Sequence, residues 1–208
     1  MKKIIGAVAL LLAVTNATLA QTGSDEQVMP KTQLLKLTPQ QFIMKAFQVD
    51  YEIAFGNRHS IQFSPSITVR ENDNNYKKVT GGGLEVIKKF YIGTQAQPLE
   101  GFYAGLSGSY HRYSVESNDD CFFDWQTGQE ICNTGRKEKI NRFGLNVIFG
   151  HQFIIHDVVA IDLFVGGGMR IADSDNPRNK NERFDRDIFD YDYTGVAPKI
   201  GVSVGLGF

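Results

Sequence analysis

From Ile200 to Phe208 every even position is apolar (Ile200, Val202, Val204, Leu206, Phe208), while Lys199, Gly201, Ser203, Gly205 and Gly207 hold the odd ones. Successive side chains of an extended strand point to opposite faces. This segment therefore has one oily face and one small or polar face. The same period recurs in seven earlier stretches, at residues 31–38, 47–55, 60–70, 82–91, 101–115, 139–150 and 158–171. In 47–55, Phe47, Val49, Tyr51, Ile53 and Phe55 oppose Gln48, Asp50, Glu52 and Ala54. In 158–171, Val159, Ile161, Leu163, Val165 and Met169 oppose Asp162, Gly166, Gly168 and Arg170. Eight half-oily strands predict an all-β chain.

The connections alternate in length. Residues 56–59, 92–100 and 151–157 are short to moderate, whereas 71–81, 116–138 and 172–193 are longer and polar; 39–46 is short where a long connection is due. Such alternation suits an up-and-down meander with both ends of the strand array on the short-turn side. Phe55, Phe90, Phe102, Phe149 and Phe208 then fall at that end, all on the oily face, as an interfacial girdle would. Pro65 interrupts its strand and predicts a bulge or a local loss of pairing.

Period alone does not say which face looks out. A lipocalin-type barrel also has eight strands, with its apolar residues inside. Here the polar faces carry Lys36, Asp50, Glu52, Arg70, Glu85, Lys89, Arg142, Asp162, Arg170 and Lys199, interspersed with Gly and Ser. A solvated face seldom needs glycine at 201, 205 and 207, because glycine weakens strands. Inside a narrow barrel small residues make room for long ones. With the one-sided girdle and the terminal aromatic, this favours the inverted arrangement, an eight-stranded antiparallel transmembrane barrel. The mean hydropathy of −0.23 is compatible with it, since only alternate strand residues face lipid.

At the front, Met1-Lys2-Lys3 precedes an apolar run to Val14 and a small-residue stretch ending Thr18-Leu19-Ala20. This pattern reads as a signal peptide over 1–20, too short in its apolar part to span a membrane. Residues 21–30 read as a polar, flexible lead-in and 31–208 as the barrel. The net charge of −1 and the absence of a basic stripe argue against a nucleic-acid partner.

With these strands in hand, the chain resembles the OmpA/OmpX-type small outer-membrane barrels, and more narrowly short barrels of Bacteroidota often described as domains of unknown function. The resemblance is carried by Phe47-Gln48-Val49-Asp50-Tyr51-Glu52, by Leu99-Glu100-Gly101-Phe102-Tyr103 and by the last strand. It implies the outer membrane of a Gram-negative bacterium, contact with outer-membrane lipid, and a barrel-assembly machinery that reads Val202, Val204, Leu206 and Phe208. No peptidoglycan-binding segment follows Phe208, so the anchoring role of longer relatives is not expected.

Candidate chemistry is sparse. A lipid-modifying site needs His, Ser and an acid facing the bilayer, but strand parity points His111 inward and Ser114 outward. His59, His151 and His156 sit on separate turns without a ligand motif, so no metal or cofactor is expected. The acidic stretch from Asp173 to Asp192 contains Arg178, Lys180, Arg183 and Arg186, which can neutralise it, and no glycine where a calcium loop would turn. The inward charges, with Asp50, Glu52, Glu85, Lys89, Arg142, Asp162 and Arg170 as their centre, are expected to pair into a closed core rather than line a pore, because eight strands leave room only for side chains. Cys121 and Cys132 are expected to form a disulfide in an exported protein. They flank Phe122, Phe123 and Trp125, candidate contacts for a surface partner. The sequence thus favours a non-catalytic structural or surface-interaction protein, with a lipid-modifying enzyme or a small-solute pore as alternatives.

Overall fold

A computed structural model describes residues 32–208 other than 44, 72–75, 98, 118–119, 125–128, 134–136, 176–187 and 189. The expected signal peptide and lead-in, Trp125 and most of the acidic loop lie outside the described residues.

The strands are β1 (Gln33–Leu37), β2 (Ala46–Phe55), β3 (His59–Glu71), β4 (Tyr76–Gln97), β5 (Glu100–Ser117), β6 (Asp120–Asp124), β7 (Gln129–Asn133), β8 (Lys137–Ile155), β9 (Val159–Ser174) and β10 (Gly195–Gly207), with a short helix α1 (Gln40–Ile43) between β1 and β2. Eight of them close an antiparallel barrel in the order β1-β10-β9-β8-β5-β4-β3-β2, and β6 and β7 form a separate hairpin. The period-2 pattern resolves as the inverted arrangement. Leu106, Leu145, Phe149, Val165, Met169 and Leu206 are exposed on the outer wall, while Lys36, Asp50, Glu52, Lys89 and Asp162 are buried inside. An apolar exterior around a charged interior is a transmembrane barrel, not a lipocalin.

Paired residues traced around the wall from Leu35 run through Tyr51, Phe63, Val86, Gly108, Leu145 and Met169 to Val196, yet the direct partner of Leu35 on β10 is Leu206, ten residues away. That stagger tilts the strands strongly and leaves an interior that side chains fill. One inward row sets glycines against aromatic rings. Tyr91, Tyr103, Gly150, Phe164 and Gly201 are successive partners. A Cβ at Gly150 would overlap the Tyr103 ring, and one at Gly201 would overlap the Phe164 ring.

The outer wall near the short turns is aromatic as expected, and two histidines join it. His59 stacks between Phe55 and Phe90, with centroids 5.5 and 5.1 Å away, and His151 lies 4.2 Å from Phe102. At Pro65 the β2–β3 register lapses between Gln48↔Ser66 and Tyr51↔Phe63, while β4 pairs straight through it.

Two features differ from the sequence reading. The segment 116–138, taken as a polar loop, contains the β6–β7 hairpin, and β4 and β8 run well past the ends assigned to them. The wall is also uneven. β4 has 22 residues and β8 has 19, but β1 has five. Among the described residues, no strand pairs with β10 on its β1 side beyond Leu37. The side-chain amide of Gln40 fills one step of the gap, its nitrogen donating to Val202 O (2.6 Å) and its oxygen accepting from Val202 N (3.1 Å).

Candidate functional site in the barrel interior

Inward polar positions on seven strands converge in the half of the barrel nearer the short turns. Lys36 Nζ donates to Glu52 Oε2 (2.5 Å), Gln152 Oε1 (3.0 Å) and Asp162 Oδ2 (3.0 Å). Lys89 Nζ donates to the same three atoms at 3.0, 3.2 and 2.7 Å. Each ammonium has three protons, and each proton has an acceptor. The other carboxylate oxygens are used as well. Tyr91 OH donates to Glu52 Oε1 (2.8 Å), as does Ser60, and Tyr103 OH donates to Asp162 Oδ1 (2.7 Å). Gln152 Nε2 donates to Leu99 O (2.6 Å), and Lys89 sits 4.4 Å over the Tyr103 ring. Two cations and two anions cancel. Buried charge is tolerable only when paired and hydrogen-bonded in this way. With Leu34, Leu99 and Ile148 packed around them, these groups form a plug across the barrel.

The remaining predicted charges do not join this cluster. Asp50 is the Cα partner of Lys36, yet it accepts from Thr38 Oγ1 (2.5 Å) and Gln48 Nε2 (2.7 Å) instead. Glu85 pairs with Lys199, higher in the barrel. Arg142 donates to Tyr113 OH (2.7 Å) and lies 5.0 Å from that ring, and Arg170 reaches Ile188 O (3.5 Å). Among the described residues neither arginine has a carboxylate partner. The expected single network is therefore two. A neutral plug lies below, and a cation-rich chamber lies above, where Arg142, Arg170 and Lys199 all act on the inward His111 and Glu85 acts on Arg170.

Sequence reading placed Lys36 inside but did not centre it. It missed Gln152, because the polar pair His151-Gln152 ended the assigned strand at 150. Tyr91 and Tyr103 follow the inward parity, but phenols among apolar residues gave no sign of bonding to acids.

Of the surface-loop residues, Cys121 lies directly opposite Cys132 in the β6–β7 register, and Phe122 and Phe123 lie opposite Ile131 and Glu130. Val202, Val204 and Leu206 occupy the outer face of β10, and the main chain of Phe208 exchanges two hydrogen bonds with Gln33 (3.2 and 3.0 Å).

No family model matches the sequence, and no curated protein matches it. Among solved structures, the crystal structure of Acinetobacter baumannii CarO matches at 11% identity and a TM-score of 0.41, covering 88% of this chain and 100% of that one. A crystal structure of CarO2 from the same organism matches at 10% identity and 0.40, with 88% and 100% covered.

Proposed function

We propose that this chain is an outer-membrane barrel of a Gram-negative bacterium with a closed core and a structural or surface-interaction role, without catalysis. The observation that carries this reading is the plug. Lys36, Lys89, Glu52, Gln152 and Asp162 are at most 2% exposed, and they bridge opposite walls rather than line a passage. The small-pore alternative needs a water path through those side chains. The lipid-modifying alternative needs His111 and Ser114 on one face, but Ser114 is exposed outside and His111 lies within. The loops on the long-connection side are then what the protein offers to the exterior, and the β6–β7 hairpin with Phe122, Phe123 and Trp125 is the surface proposed to meet a partner. Insertion would run through the barrel-assembly machinery, with outer-membrane lipid around the wall.

Planar-bilayer recording tests the closed core. The wild-type protein should insert without a steady conductance, and a large steady conductance would refute this reading.

A further inference from the structure

The upper part of β10 is an open sheet edge inside the apolar wall. Gly207 N bonds to Val158 O, just ahead of β9, while Phe208 bonds to Gln33 on β1. Backbone groups alternate in direction along an antiparallel strand, so odd residues of β10 face β9 and even residues face the β1 side. The β1 ladder stops at Leu37↔Val204. Gln40 serves Val202, and Tyr193 OH donates to Val196 O (3.0 Å). Pro198 has no N–H to lose, as suits an edge. Among the described residues, the N–H and C=O of Ile200 and the N–H of Val196 have no partner. Their side chains are 77% and 69% exposed and continue the apolar belt. Exposed backbone edges do not persist in hydrocarbon, because no water is there to satisfy their polar groups. Something polar must reach this edge from the lipid side or from within.

Behind the same edge, Lys199 and Ala197 take the inner face, alternating with the outward Pro198 and Ile200, and Arg170 on β9 stands opposite Gly195. Among the described residues, Arg170 and Arg142 have no salt-bridged carboxylate, and Glu85, which pairs with Lys199, is the acid in electrostatic reach of Arg170. Across the gap, α1 presents Phe42 against Phe47 at 5.8 Å. The edge thus has apolar residues on the lipid side and, behind it, two guanidinium groups that no described carboxylate salt-bridges.

We propose that the β10 edge from Val196 to Ile200 is a lateral portal where an anionic single-chain amphiphile docks, its chain along the outer apolar wall and its head group turned in towards Arg170 and Arg142. Guanidinium forks suit a carboxylate or phosphate head, and the free N–H groups of the edge supply further donors. The inference rests on the membrane-barrel reading but not on a closed core, which conductance tests separately.

The probe is dodecanoate with a diazirine at its terminal carbon, added to purified protein in non-ionic micelles and followed by native mass spectrometry. One molecule should be retained, whereas dodecanol and dodecyltrimethylammonium carrying the same label should not. Photolysis should label Phe42, Phe47, Val196 or Ile200. The Arg142→Gln/Arg170→Gln double variant should lower retention at least tenfold, and Arg170→Lys, which keeps the charge, should preserve most of it. Heat-modifiable migration verifies that each variant is folded. If the double variant does not fold, the head-group comparison and the label position decide alone. Equal retention of the three probes, an undiminished signal in the folded double variant, or label scattered evenly around the belt would overturn the portal.

Discussion

Glu52→Gln removes one charge from the plug and changes almost no volume. In the wild type, Glu52 accepts from Lys36 (2.5 Å), Lys89 (3.0 Å), Tyr91 (2.8 Å) and Ser60. A glutamine has one acceptor oxygen and brings two new N–H donors into a space already crowded with donors. Two ammonium groups must then share Asp162, and one net positive charge stays buried. Breaking a buried pair by removing one partner costs about 3–5 kcal/mol. With an m-value of roughly 2 kcal/mol/M in urea, the midpoint should fall by about 1.5–2.5 M. Circular dichroism of the micelle-folded barrel in urea reads this shift. The double variant Lys36→Met/Glu52→Gln removes one charge of each sign and leaves Lys89 with Asp162, so it should recover a large part of the loss, giving a coupling of about 2 kcal/mol or more. A midpoint shift below about 0.5 M, the equivalent of roughly 1 kcal/mol, or strictly additive losses, would refute the view that the four charges act as one neutral unit.

Three further outcomes are expected. Gly168→Ala should reduce the heat-modifiable folded fraction, with overpacking worth about 1–3 kcal/mol, because the new Cβ would overlap the Leu145 carbonyl oxygen, whereas Gly108→Ala meets open space and should leave migration unchanged. Non-reducing mass spectrometry of whole cells should find Cys121 and Cys132 bridged, since directly opposed antiparallel residues have Cα atoms about 4.5–5.5 Å apart, within the span of a disulfide; free thiols at both positions would exclude it. Deleting Phe208 should lower the folded fraction in outer membranes, because it removes both backbone bonds to Gln33 from a seam whose ladder has four register pairs, and unchanged assembly would contradict that role.

Strand parity made the two faces of the barrel legible residue by residue. Glu52 against Tyr51, or Asp162 against Ile161, needs no more than a period of two once one face is known to meet lipid. Parity says nothing of depth, and depth decides partners. Lys36 and Asp50 are ladder neighbours, yet the long lysine chain reaches Glu52 and Asp162 while the short Asp50 side chain stays with Thr38. The division between plug and chamber follows from how far each side chain extends across a tilted interior, which no single strand records. The β6–β7 hairpin was hidden because its two five-residue strands have no oily face of their own to alternate. The open edge of β10 was half visible. Pro39 and Pro198 both mark places where a ladder loses a donor, but the substitution of the Gln40 amide for a strand is a tertiary event.

The shortest strand of the barrel carries one of the plug's two lysines. β1 closes the cylinder along one brief seam, and from it Lys36 crosses the lumen to β2, β8 and β9. Zipping the seam and stripping water from that ammonium therefore happen together. A cylinder open at β1 would leave Glu52, Asp162 and Lys89 with an excess negative charge and no cover. A cylinder closed without them would trap a bare cation. Intermediate degrees of closure are disfavoured from both directions, so ring closure should be all-or-none, with the lumen's electrostatics latching a joint that its backbone alone would hold weakly.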